Sequence, residues 1–282
     1  MTCPEAWERE ASMQRESLAW RFALALSMTV MLFGAWSFQL VIHEGGHAIV
    51  GDAAGGVLSG IVLHVFPALG GHVTSDTPLV EVASSARLWG VAGGPLFSVA
   101  AGLIALGFAS LRRFRRSVFL VAMAVSSLGG MSLMTLLGGV FAGGREPADI
   151  LRLGLRLGMD ESAIAAGAMV AGLPVTILVG LWYCRRVLEF GFLAAETRRE
   201  RFSALLWGAW LPLVFLALMW FVHLAAAAGS AKLGVLRKLP LASGLVVALV
   251  LGLPVLWLIA WWTKPVETVA RPLRPLFASS VA

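Results

Sequence analysis

Long runs of apolar residues make up most of the sequence, and short basic segments separate them. A helix needs about 20 apolar residues to cross the hydrocarbon core of a bilayer, and six runs are about that long or longer. They extend over residues 22–50, 88–111, 117–141, 163–184, 202–228 and 241–262. The pattern predicts an all-α membrane protein, a polytopic bundle of about six transmembrane helices.

Residues 51–86 break this pattern. The segment is rich in glycine and of mixed polarity, with short fragments such as Ile61-Val62-Leu63-His64-Val65. We expect a short Gly-rich strand or a re-entrant segment after the first span. Non-helical backbone at membrane depth is stable only where protein or a water-filled cavity satisfies its polar groups. A substrate cleft is therefore expected in this region.

The composition supports a location in the lipid bilayer. The chain is 59% hydrophobic and 13% charged, whereas an average soluble domain has about 25% charged residues. The net charge of +6 comes from Lys and Arg between the apolar runs, which is typical of membrane-protein loops and gives no reason to expect a nucleic-acid partner. Cys3 and Cys184 lack the spacing of a disulfide framework or a thiolate metal site.

The distribution of basic residues predicts an orientation. Of the 22 Lys and Arg residues, 15 fall on the side of the N-terminus when the six predicted spans alternate. The positive-inside rule then places both termini in the cytoplasm. The acidic residues before the first span, and the lack of a small-residue cleavage site after it, predict a permanent span and no removed signal peptide.

A metal-binding motif ends the first apolar run. His43 and His47 are four residues apart, which in a helix means about 40° and about 6 Å, so both imidazoles can face one ion. In H-E-x-x-H motifs the two histidines bind zinc and the glutamate, here Glu44, takes a proton from the attacking water. The alternative is that the three residues cap the first helix at the interface. Because polar groups at membrane depth are costly and usually functional, we favour the zinc site.

A catalytic zinc usually has a third protein ligand. Two predicted spans separate His47 from residues 143–149, so this segment returns to the membrane face where the first span ends, and Asp149 can reach the metal. Asp149 would also lie near the positive end of a helix begun by Pro147, and capping that helix is its alternative role. The topology favours some candidates for the third ligand but does not identify one. The candidates are Asp52, His64, His72, Asp76, Glu81, Glu146, Asp149 and Asp160.

Residues 30–155 resemble the site-2 protease family of intramembrane zinc metalloproteases. The segment His43-Glu44-Gly45-Gly46-His47-Ala48 is similar to the family's first motif, Gly70-Gly71-His72-Val73 to its glycine-plus-strand element, and Ala92-Gly93-Gly94-Pro95-Leu96 to its Gly-Pro segment. Asp149 would correspond to the aspartate ligand, although the usual glycine does not follow it. Ser98 stands where many members have asparagine.

The resemblance implies hydrolysis of a peptide bond in or near a transmembrane segment of another membrane protein. His43, His47 and Asp149 would bind zinc, and Glu44 would act as the catalytic base. His64 and His72 are candidates for oxyanion or substrate contacts, with local hydrogen bonding as their alternative role. The family places its site nearer the cytosolic face, which conflicts with the orientation predicted from charge.

We therefore expect a multi-pass protein of a bacterial-type cell membrane, with four regions. These are an N-terminal surface segment (1–21), a metalloprotease-like core (22–160), additional transmembrane helices (161–264) and a C-terminal tail (265–282). Two other functions stay open from the sequence. A bis-histidine haem protein would give no reason for Glu44, and a non-catalytic scaffold or transporter would leave the whole motif unexplained.

Overall fold

The computed structural model describes residues 17–55, 58–64, 70–75, 84–140, 149–193, 195–228, 246 and 250–263. Most of them are helical. Helix α1 comprises Leu18–Ala53, α2 Ser84–Ser110, α4 Asp149–Arg156, α5 Glu161–Phe190 and α7 Val250–Trp262. Two further helices contain a π-helical turn: α3 runs through Val118–Ala124, Val125–Gly130 and Met131–Val140, and α6 through Arg198–Leu205, Leu206–Trp210 and Leu211–Ala228.

Side-chain caps fix where several helices begin. The hydroxyl groups of Ser17 and Ser117 accept hydrogen bonds from backbone N–H groups in the first turns of α1 and α3. The carboxylate of Asp160 does the same for α5, and Thr197 forms a reciprocal capping box with Glu200 at the start of α6. Each cap satisfies an N–H that the helix itself leaves without a partner. Helix α5 ends at Phe190 and is followed by Gly191, whose φ of 65° lies in the left-handed region.

Five of the described helices are long and apolar enough to cross a membrane: α1, α2, α3, α5 and α6. Many large apolar side chains face outward, and Val170, Leu178 and Trp262 are among the most exposed. A bilayer solvates such a surface, whereas water would not. The predicted helical bundle is thus confirmed, and its five long apolar helices support a location in the membrane. The sixth predicted span stays a prediction, because α7 is described over 13 residues and most of residues 241–249 lie outside the described part.

Helix α1 lies at the centre of the bundle and contacts α2, α3 and α6. Its buried side chains, including Leu24, Met28 and Leu32, belong to one core with residues of α3, α5 and α6. The buried Arg201 of α6 donates hydrogen bonds to the carbonyl oxygens of Ala195, Glu196 and Ala260, which joins α6 to the end of α7. The C-terminal half of α1 packs against α2, where Gly46 meets the backbone of Gly93.

Two short strands follow α1 in the Gly-rich segment. Strand β1, Leu58–His64, pairs antiparallel with β2, Gly70–Ser75, in a register that sets Val62 opposite His72 and His64 opposite Gly70. Both strands contact α1. Residues 56–57, 65–69 and 76–83 of the Gly-rich segment lie outside the described part, as do the N-terminal segment up to residue 16 and the tail from residue 264.

Candidate metal centre

The candidate metal centre forms where α1 crosses α2 at very short distance. A Cβ atom on Gly46 would lie 2.6 Å from the carbonyl oxygen of Gly93, and one on Gly93 would overlap the carbonyl oxygen of Gly46. Further along, a Cβ on Gly94 would overlap the His47 imidazole. Small residues let membrane helices approach in this way. The Gly-Pro segment of α2 therefore brings its backbone directly against the H-E-x-x-H motif.

Three ligand atoms converge at this crossing. His43 Nε2 lies 2.9 Å from Asp149 Oδ2 and 3.2 Å from His47 Nε2, and His47 Nε2 lies 3.3 Å from Asp149 Oδ2. Among the described residues, these three form the one group of three or more His, Cys, Asp or Glu side chains that could hold a metal ion. Asp149 reaches the histidines as the first residue of α4.

The other nitrogen of each imidazole has its own partner. His47 Nδ1 lies 2.7 Å from the carbonyl oxygen of Gly90 and 3.3 Å from the backbone nitrogen of Gly94. The shorter contact is to an oxygen that can only accept, which favours a proton on Nδ1. His43 Nδ1 lies 2.8 Å from Ser98 Oγ, which also accepts a hydrogen bond from Gln39. Such outer contacts orient metal-ligating histidines. With Nδ1 engaged, both Nε2 atoms are directed at Asp149.

The two imidazole nitrogens and the carboxylate oxygen are of the right kind and spacing to bind a cation. In a tetrahedral zinc site with bonds of 2.0–2.2 Å, ligand atoms are about 3.3 to 3.6 Å apart, and the three distances here are equal to that or a few tenths of an ångström shorter. Burial alone would raise the pKa of the Asp149 carboxyl, but its hydrogen-bond contacts with His43 and His47 outweigh burial and hold that pKa well below its ordinary value. The carboxylate is thus ionised. Two imidazole lone pairs and a carboxylate are typical zinc ligands.

Glu44 is buried in the same turn of α1, with 4% of its surface exposed, and lies near enough to His47 to interact with it electrostatically. The side chains of His43, His47 and Asp149 remain 9%, 13% and 20% exposed. The group is therefore enclosed by protein yet not sealed from small molecules. A buried carboxylate beside a metal-binding group can exchange a proton with a water molecule there.

The other candidates for the third metal ligand either lie away from the metal centre or have side chains outside the described part of the chain. Asp52 is exposed near the end of α1, and the Asp160 carboxylate is engaged as the cap of α5 by Ser162 and Ala163. Asp76, Glu81 and Glu146 lie outside the described part, and for His64 and His72 the structure describes the backbone in β1 and β2.

Sequence reasoning did not identify the residues that orient the histidines. Gln39 precedes His43 by one helical turn and interrupts an apolar run, which is a usable signal. Ser98 stands out in the sequence only because many members of the resembled family have asparagine at this position. The carbonyl of Gly90 carries no side-chain signal, since its role depends on how α1 and α2 cross.

No protein-family model matches the sequence, and neither a curated protein nor a solved structure is significantly similar to it.

Proposed function

We propose that this chain is an intramembrane zinc metalloprotease, which hydrolyses a peptide bond in or near a transmembrane segment of another protein in a bacterial-type cell membrane. The observation that carries the proposal is the convergence of His43 Nε2, His47 Nε2 and Asp149 Oδ2 within 3.3 Å beside the buried Glu44. The sequence resemblance to site-2 proteases supports the same activity.

The proposed roles follow from the chemistry of the side chains. Zinc, when bound by His43, His47 and Asp149, would polarise the scissile carbonyl and acidify water. Glu44 accepts a proton from the attacking water and passes it to the nitrogen of the leaving amine. His64 and His72 are proposed to contact the oxyanion or the substrate. A substrate helix must unwind locally, because its peptide groups are otherwise hydrogen bonded within the helix.

The arrangement favours zinc over haem as the bound group. A bis-histidine haem needs two histidines on opposite sides of one iron, whereas His43 and His47 lie one turn apart with Nε2 atoms 3.2 Å from each other. Among the described residues, the side chain from another helix that reaches both Nε2 atoms is the Asp149 carboxylate. A scaffold or transporter would not require a buried Glu44 beside this group.

Metal analysis and cleavage assays on matched variants test the proposal. Purified wild type should contain one zinc per chain and cleave a co-expressed single-span substrate. Glu44→Gln should keep the zinc and lose about 10²- to 10⁴-fold in cleavage, the usual contribution of a general base. His47→Ala and Asp149→Ala should lose the zinc, because each removes one of three ligands.

The matched control is Asp160→Ala, which removes a carboxylate from the start of the next helix and should leave the zinc content unchanged. Full zinc in Asp149→Ala would contradict the ligand assignment and direct attention to Asp76, His64 or Glu146. A haem absorption band in the wild type, or neither zinc nor haem, would overturn the proposed activity in favour of the haem protein or the scaffold.

A further inference from the structure

A cluster of arginines surrounds a cavity at the opposite end of the bundle from the metal centre. The cavity has a volume of about 260 Å³ and lies between the loop after α2 and the last turns of α5. It is lined by Ser110, Arg112, Arg115, Trp182, Arg185, Arg186 and Glu189. We call it the arginine cavity. Ser110 follows Ser98 by 12 residues in α2, a rise of about 18 Å, so the cavity is separate from the metal centre.

A single carboxylate holds three of these arginines. Glu189 Oε1 lies 2.9 Å from Arg185 Nε and 3.0 Å from Arg115 Nη2, and Glu189 Oε2 lies 2.8 Å from Arg186 Nη1. Glu189 is 12% exposed and Arg186 9%, whereas Arg115 and Arg185 are more than half exposed. The buried pair therefore fixes the floor of the cavity, and the exposed pair forms its mouth.

The positive charge of the cavity exceeds what Glu189 can neutralise. Four arginines and one carboxylate line it, which leaves an excess of three positive charges. Each of the three bonded guanidinium groups gives one or two of its five N–H donors to Glu189. Several converging guanidinium groups with donors to spare are the arrangement that binds phosphate, since Arg forms paired hydrogen bonds with phosphate oxygens.

The cavity is also placed where lipid headgroups are found. It lies at the ends of α2 and α5, two helices long and apolar enough to cross a membrane. Trp182 lies 5.4 Å from the Arg186 guanidinium, and tryptophan is enriched at the level of the headgroups. Basic pockets between transmembrane helices bind anionic headgroups. We propose that the arginine cavity binds the phosphate group of an anionic phospholipid.

Lipid titration of the purified full-length chain in detergent, read by native mass spectrometry, tests this proposal. Wild type should bind phosphatidylglycerol at least tenfold more tightly than phosphatidylcholine, with one lipid bound most strongly. Arg115→Gln/Arg185→Gln should weaken phosphatidylglycerol binding about tenfold or more, because it removes two guanidinium groups from the mouth and leaves Arg186 with Glu189. Inorganic phosphate at millimolar concentration should not displace the lipid.

The control is Arg113→Gln/Arg116→Gln, which removes the same number of charges from the loop that carries Arg115 but outside the cavity lining, and it should change binding less than twofold. Equal losses in the two double variants would overturn the proposal, since they would indicate a general effect of surface charge. No preference for phosphatidylglycerol, or displacement by inorganic phosphate, would overturn the lipid assignment. If Arg115→Gln/Arg185→Gln does not fold, Arg112→Gln replaces it, with an expected threefold loss.

Discussion

At the scale of single residues, Ser98 connects the metal centre to the rest of the bundle. Its side chain is completely buried and lies between His43 Nδ1, at 2.8 Å, and the Gln39 amide, at 2.9 Å. It thereby orients His43, as the Gly90 carbonyl orients His47. Many members of the family that residues 30–155 resemble have asparagine at this position, and the serine hydroxyl supplies a hydrogen-bonding group there in a smaller side chain.

We predict that Ser98→Ala weakens zinc binding about 10- to 100-fold, the usual effect of removing an outer contact of a metal ligand. The reason is that His43 would lose the partner that fixes its ring and tautomer. Competition for zinc between the purified protein and a chromophoric chelator measures the change. Ser132→Ala is the control, because it removes a hydroxyl bonded to Thr176, away from the metal centre. Equal affinity in Ser98→Ala and wild type would contradict an orienting role.

At the scale of helices, the apolar runs predicted α1, α2, α3, α5 and α6 because the bilayer sets the length of a span. Spacing within one turn of helix predicted that His43 and His47 act together. The π-helical turns of α3 and α6, however, correspond to no residue pattern that could be recognised within an apolar run. Nor does Pro174 end α5, since neighbouring helices can satisfy the backbone groups that a proline frees in a membrane. Sequence therefore predicted the spans and the motif better than the local irregularities.

The approach of Asp149 to the histidines followed from counting spans, and the structure brings the three side chains together. The closeness of the α1–α2 crossing could not be predicted from sequence in the same way. It depends on which glycine of α2 meets which glycine of α1, and several are available on each helix. The Gly90 carbonyl was missed for this reason.

We predict that Gly93→Ala destabilises the protein by about 1 to 3 kcal/mol, the usual cost of overpacking. The added methyl group would meet the backbone of Gly46, which cannot rotate away, so the helices must separate. Zinc affinity should fall as well. The control is Gly107→Ala in the same helix, where a methyl group meets nothing within 4 Å. Thermal unfolding in detergent compares the two, and equal stability would contradict close packing at Gly93.

At the scale of the whole molecule, the bundle has two chemically different ends. The metal centre lies where α1 ends and α2 begins, near Asp149. The arginine cavity lies where α2 and α5 end, and the ion pair between Arg115 and Glu189 places both of those ends on one face. The common position of these two ends is what is expected if successive spans cross the membrane in alternating directions. The count of Lys and Arg residues on the two sides depends on the same alternation. The orientation of one end therefore determines the orientation of the other.

We predict that the arginine cavity faces the cytoplasm and the metal centre the opposite side, because most Lys and Arg residues lie on the side of the N-terminus. Single cysteines at the exposed positions Asp52 and Arg113, in a variant lacking Cys3 and Cys184, report the two ends. A membrane-impermeant maleimide should label Asp52→Cys in intact cells and Arg113→Cys only after permeabilisation. The reverse pattern would favour the cytosolic site that the family resemblance implies, and labelling of both from one side would contradict the alternation itself.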